Sequence, residues 1–599
     1  MNRENIDVKY KWDLDVIYRS VDEFEKDFND VRDMALNIKK YENVMNNDSK
    51  SFYETLEYYY SVSRRLEKLY MYAHLLFDAD TSDNNVQSLR GRVTNLYSDF
   101  SKCSYFVSVN ILKLDYSQIE KFYEEEPKLR LYEKILKDEF RYKDHTLSDN
   151  EERLLSCLSK TLGNNYDTFE LFIDCDLKFD NIVDENGESV ELTNSNYSLY
   201  IESKDRNIRK DAFVTLYKKY REFKNTFASL LSNNINEEIA ISKIKKYNSA
   251  LECSLYKDEV NIDVYNNLIS SVNDNIGVLY KYYDLKKKVL GLDDIHLYDI
   301  YAPMVKEFNK KYEFDEAVEI VKNALSVLGE EYGSILEEGV NKRWIDVYPT
   351  KNKRGGGYSS GGYDTYPYIL LNYQNKFGDM STLAHELGHS MHSYYTRNYN
   401  AYQYGDYSIF VAEVASTVNE LLLSKYMLKI SSSKEEKLYI LNKLMELFRA
   451  TIFRQTMFAE FERDIYAFAE ADEVLTANNL SKKYYELNKK YFGDNVVVDE
   501  EIRYEWERIP HFYYNFYVYK YATGLSCACM IVDNILSGKE NAVSDYIEFL
   551  KCGRTKNPID SLKVAGVDVT KKEVVNAAIN MFNDFIDEFN NLFDEKNVL

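Results

Sequence analysis

Proline and glycine are scarce, with 6 prolines and 21 glycines in 599 residues. That leaves too few turn-formers and strand-enders for a protein made mainly of short β-strands, so long helices are expected. Cysteine is sparse and odd in number, at 7, which excludes a disulfide framework. The thiols read as reduced core residues, and Cys527-Ala528-Cys529 has the wrong spacing for a zinc knuckle or a redox pair. No apolar run approaches the roughly 18 residues of a membrane span. The opening segment, Met1 to Asp15, has no apolar stretch of the signal-peptide kind. The chain is therefore expected in the cytoplasm. Basic residues are in deficit: 76 Lys and Arg against 99 Asp and Glu give a net charge of −23. A balance of that sign lacks the electrostatic footprint of a nucleic-acid or anionic-membrane binder and reads as a solubilising surface.

What is plentiful is core-forming material, 45% apolar and 15% aromatic residues, ample for a sizeable core. Tyrosine, at 55, suits half-wet helix interfaces and polar cavity walls because one end of the ring is apolar and the other carries a hydroxyl. From Val21 to about Leu177 charged and apolar residues recur at helical spacing, with Pro127 the one breaker. Between Phe179 and Thr193 two short runs flank Asn186-Gly187, which predicts a small β-hairpin closing an N-terminal helical region, residues 1–195. Helical spacing resumes at Arg206 and continues past Lys322, interrupted by Pro303.

A sharper interruption follows. Arg354 to Tyr363 holds 5 of the 21 glycines and leads into the β-prone run Pro367 to Tyr373. Alone, such a loop reads equally well as flexible surface, since it lacks the frame of a phosphate-binding loop. Its place just ahead of His385-Glu386-Leu387-Gly388-His389 gives it more weight. H-E-x-x-H puts two imidazoles one helical turn apart, where both can bind one zinc ion. With only 7 histidines in the chain, roughly 0.01 accidental matches are expected. Leu383, Leu387 and Met391 fall on one side of the helical wheel and His385, His389 and His392 on the other, with Asp379 or Ser381 placed to cap the helix start.

Catalytic zinc takes three protein ligands, so a third is needed. His392 lies seven residues from His385, on the same face but a turn beyond the pair, and reads better as a hydrogen-bonded residue lining the site. A second amphipathic segment, Ile409 to Glu420, offers Glu413 and Glu420 on a shared face. Two carboxylates on an otherwise apolar helix call for a cation or a donor. One can ligate the metal while the other orients a histidine N–H, and spacing does not decide which. Glu386 is then the candidate general base, accepting a proton from the attacking water and passing it to the leaving amine.

Taken together, these residues resemble the M3 metallopeptidases, specifically the oligoendopeptidase F branch. The likeness covers most of the chain: Trp12-Asp13-Leu14, the hairpin at Asn186-Gly187, the loop Gly357 to Gly361 leading to Pro367 to Asn372, His385 to His392, Glu413 to Thr417, and Ile509 to Tyr517. The resemblance implies a mostly α fold, two helical lobes enclosing a deep substrate channel, with a zincin-like active site and a small β-element. It assigns residues 196–599 to the catalytic metallopeptidase part, His385, His389 and Glu413 to one Zn²⁺, Glu386 to general-base catalysis and Glu420 to an acidic supporting position. It implies cleavage of internal bonds in short unfolded oligopeptides, with the Gly-rich loop and the Pro367–Tyr373 strand along the substrate backbone. It also implies that His511, Tyr514 and Tyr517 donate hydrogen bonds to the reacting carbonyl, with Tyr513 or Tyr521 as substitutes for one of the tyrosines. In the sequence itself, Pro510 followed by His511, Tyr514, Tyr517 and Tyr521 forms one helical stripe, a pattern that core packing also produces. The rival readings are an exopeptidase of the same type that releases dipeptides, and a non-enzymatic acidic helical scaffold that holds peptides.

Overall fold

The computed structural model describes residues 2–158 and 161–593. Helix dominates, and the strands form only two-stranded and three-stranded sheets. The mostly α class with a small β-element is thus the observed one. Among the described residues no helix is long and apolar enough to cross a membrane. The chain divides into two compact units, each assembled from three separate stretches.

The first unit comprises Met1–Asp144, Asn309–Leu423 and Asn534–Gly566. Its longest helix, Ser49–Ala79, starts where the Asp48 carboxylate accepts the Ser51 N–H at 2.7 Å, satisfying one of the donors that a helix start leaves unpaired. Phe52, Leu56, Leu66, Leu69 and Ala73 recur along one face of it and are buried, joining Phe24, Phe28 and Val31 of the preceding helix in one core. Tyr368 and Leu370 belong to the same core, which ties the β-element to the N-terminal helices.

That β-element is a three-stranded sheet in which Tyr368–Leu370 is central, parallel to Ile345–Asp346 and antiparallel to Tyr358–Ser360. The free edge therefore belongs to Tyr358–Ser360, not to the Pro367–Tyr373 run, whose ladder groups pair on both sides. Asp78, fully buried at the end of the long helix, accepts from the Tyr358 hydroxyl at 2.8 Å and from Arg354 at 3.3 Å. One carboxylate thus holds the residues on either side of Gly355–Gly357.

The second unit comprises His145–Phe308, Ser424–Asp533 and Val567–Leu599, with long helices such as Arg206–Glu222, Lys224–Ile244, Gln455–Glu470 and Lys572–Leu592. The expected hairpin is present in it, Asn181–Val183 against Ser189–Glu191. Its turn is longer than the two residues Asn186-Gly187 suggested: Asp184 and Glu188 still pair at 2.9 Å, and the Asp184 carboxylate accepts the Asn186 and Glu188 N–H groups at 2.9 Å each. The side-chain acceptor stabilises a wider turn. All seven cysteines are free, but Cys157 and Cys175 are exposed rather than in the core.

Candidate metal centre

The H-E-x-x-H motif lies on the helix Phe377–Tyr399 of the first unit. Asp379 caps it, its carboxylate accepting the Gln374 and Lys376 N–H groups at 2.8 and 2.9 Å. Ser381 does not cap; it donates to Glu420 at 3.0 Å. The two-sided wheel is also only half right. Leu383, Leu387 and Met391 are buried, but so are Glu386 and His392, so the helix is covered on most of its circumference and only a narrow strip opens at His385 and His389.

Glu413 and Glu420 lie on the helix Ile409–Ile430, whose residues to Leu423 belong to the same unit. Two features fix this helix against the first. Fully buried Asn419 donates to Ala384 O at 3.2 Å and accepts from Tyr332 at 3.0 Å. Gly388 meets the backbone of Ala415 and Ser416, where an added Cβ would stand 2.6 Å from Ala415 O and from Ser416 Cα. Sequence reading passed over both, although a glycine inside an otherwise strong helical motif is itself a sign of close backbone approach.

The result is a convergence of three donors. His385 Nε2 and His389 Nε2 are 3.2 Å apart, and Glu413 Oε2 is 3.4 and 3.5 Å from them. Ligand atoms around a tetrahedral zinc at bonds of about 2.05 Å are separated by about 3.3 to 3.4 Å. The observed triangle has those edges, and these residues are a group able to hold a metal ion. Glu420 Oε2 lies 3.1 Å from His385 Nδ1. A proton held on Nδ1 leaves Nε2 as the lone-pair donor, which decides between the two carboxylates: Glu413 faces the shared point and Glu420 orients the imidazole. Ser416 steadies Glu413 by donating to its Oε2 at 3.1 Å.

The electrostatics agree. Burial alone would lower the His385 pKa, yet its bonds to Glu413 and Glu420 push it up to about 10. Burial would raise Glu413, and the two imidazoles hold it well below the carboxylate range instead. A site that attracts a proton this strongly attracts a divalent cation for the same reason, and cation binding releases the proton. Glu386 differs: its carboxyl is raised, chiefly by burial, with the nearby imidazoles and the Ser359 N–H opposing. Ser359 stands on the free sheet edge, and a side chain at Gly357 would come within 3.7 Å of Glu386 Oε1. The glycine loop thus borders the candidate base.

His392 is neither a ligand nor a hydrogen-bonded liner. It is 1% exposed, its ring stacks on Tyr407 at 3.7 Å, and its Nδ1 has no partner. Burial pushes its pKa down to about 3, so it stays neutral.

His511, Tyr514 and Tyr517 lie in the second unit. The expected continuous helix does not form. Pro510–Tyr513 is a single 3-10 turn, Asn515 and Phe516 take left-handed φ of 48° and 60°, and helix restarts at Tyr519. Left-handed backbone at two adjacent residues with side chains is costly, and four groups hold it. Asn234 and Tyr466 donate to Asn515 Oδ1 at 3.0 and 2.6 Å, Ser254 donates to Asn515 O at 2.9 Å, and the Phe516 N–H donates to buried Glu462 at 2.6 Å. The stripe survives the break. His511 has Tyr514, Tyr517 and Tyr521 at ring distances of 5.7, 6.5 and 6.0 Å, and the Tyr521 hydroxyl is 3.5 Å from its Nε2. Tyr513 points elsewhere, against Phe169 at 4.6 Å, so of the two substitutes only Tyr521 joins the cluster.

The chain is similar to known proteins over nearly its whole length. Residues 199–581 match the model of peptidase family M3, and residues 110–179 match that of oligopeptidase F. Oligopeptidase PepF of Bacillus subtilis is 43% identical over 99% of this chain and 88% of its own. A crystal structure of a Chlamydophila abortus protein superposes with TM-score 0.94 at 36% identity, covering 99% of this chain and 100% of that one. Oligoendopeptidase-F of Enterococcus faecium superposes with TM-score 0.73 at 34% identity, covering 95% and 99%. The chain belongs to peptidase family M3 and, within it, to the oligoendopeptidase F group of metallo-endopeptidases.

Proposed function

We propose that the protein hydrolyses internal bonds of short unfolded oligopeptides in the cytoplasm, with one zinc ion held by His385, His389 and Glu413 and with Glu386 as the proton carrier. Residues 196–599 carry these groups as the catalytic part, and residues 1–195 support them. The observation that carries the reading is the triangle of Nε2, Nε2 and Oε2 donors at tetrahedral spacing beside a buried carboxylate on the same helix. Zinc held there supplies Lewis acidity, which favours ionised water and polarises a carbonyl. The remaining work falls to side chains.

Glu386 takes a proton from the attacking water and delivers it to the leaving nitrogen. Its raised pKa, caused chiefly by burial, makes it a stronger proton acceptor than an ordinary carboxylate, which favours removal of the water's proton. Glu420 keeps His385 in the tautomer that presents Nε2. The free edge Tyr358–Ser360 offers backbone groups to an extended peptide. His511, Tyr514 and Tyr517 donate to the carbonyl oxygen as charge develops on it, and their clustering around one imidazole supports that assignment.

Glu386→Gln tests the reading. The variant is expected to retain stoichiometric zinc by elemental analysis and to lose cleavage of an internally quenched peptide by several orders of magnitude. Using a peptide blocked at both ends separates this reading from dipeptide release, because an exopeptidase leaves such a peptide intact. Retained turnover by the variant would sink the role of Glu386.

A further inference from the structure

The second unit contains a cavity of about 240 Å³ into which three arginines project, Arg449, Arg454 and Arg508. Two irregular helices deliver them. Arg449–Arg454 is a π-helical segment. In an α-helix, residues five apart would diverge by about 140°, whereas the wider π turn brings its first and last arginines to one side. Glu500–Arg508 is a 3-10 run, far longer than the three or four residues usual for that geometry, and in it residues three apart eclipse. Glu505 and Arg508 are such a pair, and both line the cavity.

The charges around the cavity do not cancel. Glu505 is fully engaged, accepting from Arg454 at 2.8 Å, Tyr217 at 3.1 Å and Tyr484 at 2.6 Å. Behind the lining, Glu446 accepts from the buried Lys286 at 2.9 Å and from Arg449 Nε at 2.9 Å. Two carboxylates thus face four cations, and the remaining lining carboxylate, Glu202, is exposed. Arg508 has no ion-pair partner among the described residues; its guanidinium lies 5.0 Å over the Tyr197 ring. Arg508 donates a hydrogen bond to the Tyr220 hydroxyl and is attracted by Glu505 from beyond contact distance. A guanidinium does not escape by losing its proton, so one with no carboxylate at contact distance in a cavity wall is stabilised by an anion that enters. Apart from Ser198 and Asn488, the rest of the wall is apolar or aromatic, including Leu279, Ile300 and Met457, and an inorganic ion would leave it unfilled.

We propose that this cavity receives the C-terminal carboxylate and last side chain of an oligopeptide, with Arg508 and Arg449 gripping the carboxylate. The proposal rests on the peptide-hydrolase reading and deepens it: the substrates favoured are short peptides with a free C-terminus. The planar guanidinium matches a carboxylate in two parallel N–H···O bonds. The cavity also neighbours the His511 cluster: Arg454 lies 4.6 Å over the Phe458 ring, which stands 5.3 Å from Phe512, the residue after His511.

The test uses Glu386→Gln protein, in which bound peptide stays intact, and two fluorescent peptides of one sequence, ending in a carboxylate or a carboxamide. The free acid is expected to bind roughly tenfold or more tightly than the amide, the range of a charge-assisted hydrogen bond. Adding Arg508→Gln should bring the acid down to the amide while leaving the amide unchanged, and Arg508→Lys should keep part of the difference. Equal affinities of acid and amide on the Glu386→Gln protein overturn the proposal, and so does equal weakening of both peptides by Arg508→Gln, the mark of a merely structural residue. Should Arg508→Gln fail to fold by its thermal transition, Arg449→Gln carries the same comparison. Failure of the hydrolase reading shows separately, as cleavage of the peptides by Glu386→Gln or absence of cleavage by the wild type, and the acid-to-amide ratio is read in either case.

Discussion

The metal donors and the His511 cluster are built in opposite ways. In the first unit, two regular helices place His385, His389 and Glu413 by their ordinary periodicity, and one asparagine and one glycine lock the pair. In the second, His511, Tyr514 and Tyr517 hang on a 3-10 turn and a left-handed corner that depends on Asn234, Ser254, Glu462 and Tyr466, all remote in sequence. Regular helix fixes distances without strain. A strained corner costs about 1–3 kcal/mol at each residue and persists only while its surroundings impose it. The first construction would suit the proposed metal ion, which needs fixed donor distances, and the second ties the proposed carbonyl donors to the packing around them.

Four outcomes would break or sharpen that contrast. The largest effect is expected from His389→Ala: bound metal should fall to background by elemental analysis and peptide cleavage should vanish, with little change in the thermal transition because the helix itself stays packed. Metal retained at full stoichiometry would contradict the triangle. Next, His511→Ala should lower kcat about 10² to 10³-fold, with metal content unchanged and KM changed far less. A loss of metal in that variant would show the two regions to be coupled. Glu420→Gln should be milder, weakening metal affinity roughly 10 to 100-fold in a chelator competition, since His385 Nδ1 loses its charged acceptor.

The last outcome concerns stability, at the corner and in the 3-10 run before it. Burial pushes Glu462 up to about 8, and burial likewise pushes Glu507, whose oxygens have no partner, up to about 9. Folded pKa values above the ordinary 4.5 mean that the folded chain keeps protons the unfolded chain has released. The stability these groups contribute is complete below pH 4.5 and is lost as pH rises toward 8 and 9, at about 1.4 kcal/mol per pH unit for each group. Thermal transitions measured across that window should fall with rising pH, and Glu462→Gln together with Glu507→Gln should flatten the slope. A slope unchanged by both substitutions would show that neither carboxyl is held neutral.

The same contrast explains what could be read from the sequence. His385, Glu386 and His389 were legible because their spacing is their geometry, and Glu413 with Glu420 were legible as a pair for the same reason. That Glu413 completes the donor triangle while Glu420 meets His385 Nδ1 is a tertiary fact that spacing does not carry. The helical class followed from the shortage of proline and glycine. The break at Asn515–Phe516 did not, because Asn signals left-handed backbone only weakly, Phe does not signal it at all, and the groups that impose it lie 49 to 281 positions away. The sheet edge was misplaced for a related reason: Pro367 to Tyr373 reads as β-prone, but pairing order depends on Ile345–Asp346 and Tyr358–Ser360 taking opposite sides of it. Tyrosines also join helices, as where Tyr265 donates to Ala459 O at 2.7 Å.

Gly388 carries a last consequence. The helix with the two imidazoles and the helix with Glu413 approach until backbone meets backbone, and a single methyl group at Gly388 would stand 2.6 Å from atoms that cannot swing aside. The helices would have to part, and the donor triangle would widen with them. The hydrogen atom at Gly388 therefore works as a gauge block: the spacing of His385, His389 and Glu413 depends on a residue that is not one of the three.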